Sequence, residues 1–138
     1  MSEVRHFLDS NVLLYLISAD TAKANRAEEL IARDGCASIQ VLNEFASVAS
    51  RRYAVPWPKI VDVLGTVREI ISVVPLTIET HEKALELAPR TRYRFRDCLI
   101  LASALRAGCE TLYSEDLHTG QIIDGQLTVQ NPFSATRC

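Results

Sequence analysis

Long hydrophobic runs are absent from this sequence. The longest nearly apolar stretches, Val12 to Ile17 and Cys98 to Leu105, fall far short of the roughly 18 residues a membrane span needs. Glycine and proline are sparse, five of each in 138 residues, and they are scattered rather than clustered. That excludes collagen-like and linker-like compositions, and without a low-complexity segment or an internal repeat there is no natural point of division. A single domain over residues 1–138 is expected, a length that allows roughly 68% of the unfolded surface to be buried. The four cysteines, Cys36, Cys98, Cys109 and Cys138, form no C-x-x-C pair. A zinc site and a disulfide framework are therefore unexpected, and the thiols read as reduced, three in the core and Cys138 on a tail. The first six residues, Met1 to His6, carry no cationic segment, signal-length apolar region or cleavage site. The expectation is a soluble, cytoplasmic protein without a membrane partner. Charge of one sign is also lacking: the net charge of −2 argues against holding nucleic acid by bulk electrostatics, though not against a local basic patch.

What is present is an alternation of short apolar segments with helical patterns. Arg5 to Leu8 reads as a strand ending at Asp9, and the apolar block that follows as a helix with Ser10 or Asn11 as its cap. Asp20 or Thr21 caps a second helix over residues 22–33. Cys36-Ala37 is a short strand, and Ser38 caps a third helix whose Val41, Phe45 and Val48 share a face. Pro56-Trp57-Pro58 opens a fourth helix, because proline is tolerated in a first turn. Ser72 to Leu76 is a strand, Thr77 caps the next helix, and Asp97 begins a helix apolar almost all round that Gly108 ends. Cys109 to Tyr113 and Leu127 to Gln130 are the last two strands. Such an α/β alternation implies a mostly parallel sheet covered on both faces, whose reactive groups gather beyond the carboxyl ends of the strands.

Most of the seventeen Asp and Glu residues fit solvated helix faces, caps or turns. Four stand apart by position. Asp9 and Asp116 follow strands at the sheet's carboxyl edge, Asp97 lies at the amino end of the apolar helix where the dipole favours a negative charge, and Glu44 sits at the margin of the third helix's apolar stripe. Each also has an ordinary structural reading: Asp9 as a helix cap, Asp97 as a helix-terminus charge, Glu44 as the ion-pair partner of Arg51 or another base.

The segments His6-Phe7-Leu8-Asp9-Ser10-Asn11, Val41-Leu42-Asn43-Glu44-Phe45, Phe95-Arg96-Asp97-Cys98-Leu99-Ile100 and Leu112-Tyr113-Ser114-Glu115-Asp116-Leu117, closing with Asn131-Pro132-Phe133, together resemble the PIN-domain family. More narrowly, they resemble the toxins of VapBC-type toxin–antitoxin pairs. The resemblance implies a five-stranded, mostly parallel sheet of order 3-2-1-4-5 with helices on both faces. It places metal-binding acids at Asp9, Asp97 and Asp116, with Glu44 completing the catalytic set. Asn11 matches a polar residue supporting the first Asp, and Ser114 a hydroxyl beside the last. The implied activity is Mg²⁺- or Mn²⁺-dependent endoribonuclease cleavage leaving 3′-hydroxyl and 5′-phosphate ends. The implied partners are an RNA substrate, a small antitoxin protein and a second copy of the chain in a homodimer.

Residue chemistry agrees with that implication. Hard divalent cations prefer oxygen donors, so a phosphodiesterase site of this kind uses carboxylates and a hydroxyl rather than Cys or His. Strand-like alternation aims Ser114 and Asp116 the same way and Glu115 the other, which leaves Glu115 structural. A metal-free histidine mechanism fits poorly: His6 lies in a strand, His81 reads as a core histidine, and only His118 stands near the acids. Arg94 and Arg96, in the alternating set Arg90, Arg92, Arg94 and Arg96, are candidates for contacting RNA phosphates, and equally for pairing with an acidic antitoxin segment or facing solvent. Gathered without a metal, the four carboxylates should repel one another, by about 4 kcal/mol for a pair 4 Å apart at an effective dielectric of 20. The rival readings are a PIN fold that only binds RNA or protein, and a housekeeping PIN nuclease.

Overall fold

The computed structural model describes residues 5–133; Cys138, expected on a tail, lies outside the described residues. The strands are β1 (His6–Leu8), β2 (Gly35–Ser38), β3 (Ser72–Val74), β4 (Thr111–Tyr113), β5 (Ile122–Ile123) and β6 (Leu127–Gln130). The helices are α1 (Ser10–Leu14), which tightens into a 3₁₀ turn at Tyr15–Ile17, then α2 (Thr21–Ile31), α3 (Ile39–Arg51), α4 (Trp57–Ile70), α5 (Ile78–Thr91) and α6 (Phe95–Arg106).

The sheet order is β3-β2-β1-β4-β6-β5. Every neighbouring pair is parallel except β5 with β6. The expected order 3-2-1-4-5 is thus present as β3-β2-β1-β4-β6, with helices on both faces, and one further strand is added at the edge. That strand is a dipeptide, too short to carry a readable alternation. It turns into β6 through Asp124 and Gly125, whose φ angles are +54° and +64°. Glycine takes such a φ without the steric cost of a Cβ.

The caps at Asp20, Ser38 and Thr77 form as expected, accepting from the backbone N–H groups of Lys23, Val41 and Thr80. Two helix starts differ. The cap of α1 is Asp9, one residue before the expected Ser10 or Asn11, because its carboxylate reaches the Ser10 N–H. Helix α6 begins at Phe95 rather than Asp97, with Arg94 at its cap position, so Asp97 falls inside the first turn.

Central strand β1 is buried throughout, and in α6 Cys98, Ile100, Leu101, Ala102 and Ala104 are fully buried, as an all-round apolar helix should be. Cys36 and Cys109 are likewise in the core. Filling such positions contributes roughly 1.5–3 kcal/mol for each large aliphatic side chain, and this rigid middle layer is what holds the loops at the sheet's carboxyl edge. His81 is not the expected core histidine. It is exposed on α5 with its ring edge-on to Phe95, centroids 5.8 Å apart. Among the described residues no helix is long and apolar enough to cross a membrane.

Candidate acidic site

Asp9 owes its place to the sheet. The β1–β4 ladder runs one bond past the strand, the Asp9 N–H donating to the Tyr113 carbonyl at 3.0 Å, before the chain turns into α1. The carboxylate accepts from the Ser10 N–H at 2.7 Å and is wholly buried. A buried carboxylate is tolerated only with partners. Ser114 Oγ donates to it at 2.9 Å, and the Arg96 guanidinium donates from Nη2 at 2.8 Å and Nη1 at 3.4 Å.

The same guanidinium reaches two further acids. Its Nε donates to Glu44 Oε2 at 2.8 Å, its Nη2 to Glu44 Oε1, and its Nη1 to Asp97 Oδ1 at 2.8 Å. Glu44 emerges at the edge of the α3 stripe, where Ser10 Oγ donates to it at 3.1 Å and Gln40 Nε2 at 3.4 Å. Partial burial pushes the Glu44 carboxyl up, but the hydrogen bonds and charge of Arg96, with Gln40 and Ser10, outweigh it and leave the group below its usual range. Burial also works against the Arg96 charge, and the three carboxylates reverse that, holding its pKa above the ordinary value.

Asp116 stands slightly apart and is exposed. Asn11 Nδ2 donates to its carboxylate at 3.1 Å, and its own N–H donates to Ser114 Oγ at 3.1 Å. Asn11 also accepts from the Glu115 N–H at 3.3 Å. Asn11 thus holds the last acid and the turn before it rather than the first, whereas Ser114 lies beside the last acid as expected and supports the first as well. Glu115 is engaged outside the cluster, accepting from the Tyr15 hydroxyl at 3.0 Å and Lys23 at 3.2 Å, in line with its structural reading.

Asp9, Glu44 and Asp97 are thus gathered round one cation, and Asp116 joins them through Asn11 and Ser114. The ordinary structural readings hold as well, since Asp9 caps α1, Asp97 sits in the first turn of α6, and Glu44 pairs with a base, Arg96 rather than Arg51. The expected unrelieved repulsion is corrected: a guanidinium already sits among three of the four carboxylates and offsets part of their charge. Arg96, expected among the candidate RNA contacts, is engaged by the acids in this structure, while Arg94 stays exposed with Asp97 at 3.4 Å. Arg90 pairs with Asp124 at 2.9 Å. Gln40 and Ser10 were not singled out from the sequence. The signal available was local, Ser10 adjoining Asp9 and Gln40 lying four residues before Glu44 on one helix face.

The donor chemistry suits a hard divalent ion, and three of the acids already converge on one positive group. Yet among the described residues no three His, Cys, Asp or Glu groups are arranged to hold a metal ion directly. Beside the cluster a cavity of about 450 Å³ opens between Ser10, Asn11, Tyr15, Arg52, Tyr53 and Asp116.

A parallel α/β sheet with carboxylates collected at its carboxyl edge defines the class of protein. Its sequence matches the PIN domain family over residues 6–121, and the chain belongs to that family. No curated protein matches it. Among solved structures, it is similar to the VapC20 toxin of Mycobacterium tuberculosis, described as cleaving the sarcin–ricin loop, at 24% identity and TM-score 0.66, covering 80% of this chain and 89% of that one. It is also similar to VapBC2 from Rickettsia felis bound to a promoter DNA fragment, at 18% identity and TM-score 0.70, covering 93% and 98%. A toxin–antitoxin complex from Klebsiella pneumoniae gives 18% identity and TM-score 0.68 over 93% and 98%.

Proposed function

We propose that this chain is a metal-dependent endoribonuclease acting as the toxin of a toxin–antitoxin pair. The observation that carries the reading is the convergence of Asp9, Glu44 and Asp97 from separate elements onto one positive group, with Asp116 at its edge. Asp9, Asp97 and Asp116 would hold Mg²⁺ or Mn²⁺, and Glu44 would complete the site and orient the attacking water. The ion, when bound, supplies an activated water and neutralises charge on the phosphate. Ser114 keeps the Asp9 carboxylate aimed at the cluster, and Asn11 does the same for Asp116. Exposed Arg94 would pair with an RNA phosphate. By analogy with its relatives, the chain would form a homodimer in the cytoplasm, and the tail of a small antitoxin would cover the acids.

Induced expression should slow growth and yield RNA fragments with 5′-phosphate ends, mapped by sequencing, whereas the Asp97→Asn variant should do neither. A sarcin–ricin loop oligonucleotide, the element named for the M. tuberculosis toxin, is the first RNA to assay. The seated Arg96 favours one rival, a PIN fold that binds without cleaving. RNA binding without cleavage in excess Mn²⁺ selects that rival, and cleavage by a harmless wild type with no neighbouring partner gene selects a housekeeping nuclease.

A further inference from the structure

We infer that Arg96 is the resident cation of the acid cluster, and that a divalent ion enters only in exchange for it. This rests on the reading of Asp9, Glu44 and Asp97 as a metal-binding set and adds how that set is regulated. The argument is one of shared oxygens. Arg96 occupies both oxygens of Asp9, both of Glu44, and Oδ1 of Asp97. Each of these oxygens keeps a further lone pair, but a dication seated among them would stand within a few Å of the guanidinium's own positive charge, in a partly buried setting that screens the repulsion poorly. The two cations therefore compete for the cluster. One guanidinium leaves three carboxylates with a residual negative charge, so a dication retains an electrostatic advantage over the arginine it displaces.

Exchange is sterically open. The Arg96 side chain is 26% exposed and leaves from the first turn of α6, so it can swing outward without unpacking the core. Exposed Arg94 shows that the same rim accommodates a solvated arginine. Metal-free protein is therefore a partly neutralised form, in which a covalently attached cation at high local concentration sets the metal concentration needed to open the site. Displaced Arg96 would have its donors free, and a phosphate-bearing ligand that captures them would raise metal affinity by the same factor by which metal raises affinity for that ligand.

The test measures Mn²⁺ binding by titration calorimetry on the purified full chain, as wild type, Arg96→Gln and Arg94→Gln. Arg96→Gln should bind Mn²⁺ at least tenfold more tightly than wild type, and Arg94→Gln within about twofold of it. Equal affinity in wild type and Arg96→Gln overturns the exchange but leaves the metal reading standing, as does loss of binding in Arg96→Gln, which makes Arg96 an organiser of the site. No Mn²⁺ binding by any of the three overturns the metal reading and the exchange together. Because Arg96→Gln leaves its acids unpaired and its folding is at risk, the exchange is also read in the wild type by NMR of the Arg96 Nε–H. That proton should be protected from solvent in the metal-free protein and lose protection as Mg²⁺ saturates the site. Protection that persists at saturation overturns the inference.

Discussion

Arg96 Nη2 lies 2.8 Å from Asp9 Oδ1, and of the two it is the acid that is wholly buried while the arginine side chain remains 26% exposed. Dependence between them is unequal. A buried carboxylate stripped of its counter-ion has no water to turn to, whereas a released arginine does. Breaking a buried pair by removing one partner costs about 3–5 kcal/mol, and the partial exposure of Arg96 lowers that to about 2–4 kcal/mol for Arg96→Gln in EDTA. The expected fall in melting temperature is roughly 3–5 °C per kcal/mol, read by calorimetry. Asp9→Asn should also destabilise the metal-free protein, by about 1–3 kcal/mol, through its weakened cap and lost pair. An unchanged or higher melting temperature for Asp9→Asn would mean that repulsion, not pairing with Arg96, governs the metal-free cluster.

Cleavage should respond differently. Asp9→Asn, Asp97→Asn and Asp116→Asn each keep the side chain's shape while weakening metal ligation. A loss of several kcal/mol in transition-state stabilisation corresponds to about 100-fold or more in rate. Glu115→Gln should leave cleavage within a fewfold, because Glu115 is engaged with Tyr15 and Lys23 outside the cluster. Wild-type rates from the Asp9 and Asp97 variants, measured on contaminant-free protein, would remove the acids from the chemistry.

Acid should unfold the protein partly through Glu44. Its pKa is depressed in the fold, so its contribution is fully present above the ordinary Glu value of about 4.3 and is lost as pH falls through the lower folded value. With Arg96→Gln the chief source of the depression is gone, and the decline in stability below that pH should flatten. Urea unfolding between pH 6 and roughly pH 3 measures it. Parallel pH curves for the two proteins would show that Arg96 is not what lowers Glu44.

Arg94 gives a separate electrostatic test. Its side chain is 76% exposed, and it makes a weak ionic contact to Asp97. If it meets a phosphate, Arg94→Gln should reduce the slope of log K against log salt for single-stranded RNA by about 0.7, with little change in melting temperature. An unchanged slope assigns Arg94 to solvent or to a protein partner.

Much of the fold was legible because its signals are local. Ser38 and Thr77 cap helices through a bond three residues away, and α6 declares its burial by an unbroken apolar composition. Asp9, Asp97 and Asp116 could be chosen because each stands where a strand ends or a helix begins, and Glu44 because it lies at the margin of an apolar helical stripe. What sequence did not show was their counter-ion. Arg96 adjoins Asp97, but its bonds to Asp9 and Glu44 cross 87 and 52 positions, and no periodicity reports which way a side chain at a helix start will turn. The Asn11–Asp116 and Ser114–Asp9 bonds were hidden for the same reason, since both join the start of α1 to the turn after β4. Strand β5 was missed because two residues carry no pattern.

The bond from Ser114 to Asp9 closes over 105 positions, and β4, which carries Ser114 to its place, pairs on its other side with β6 at residues 128–130. A ribosome making this chain thus emits Asp9 and Glu44 well before the residues that complete their surroundings. Until β6 has emerged and docked, β4 lacks its outer neighbour, and the acids have no finished frame. Synthesis itself delays the appearance of the assembled site, so the acids stay without their frame until the chain has passed Gln130.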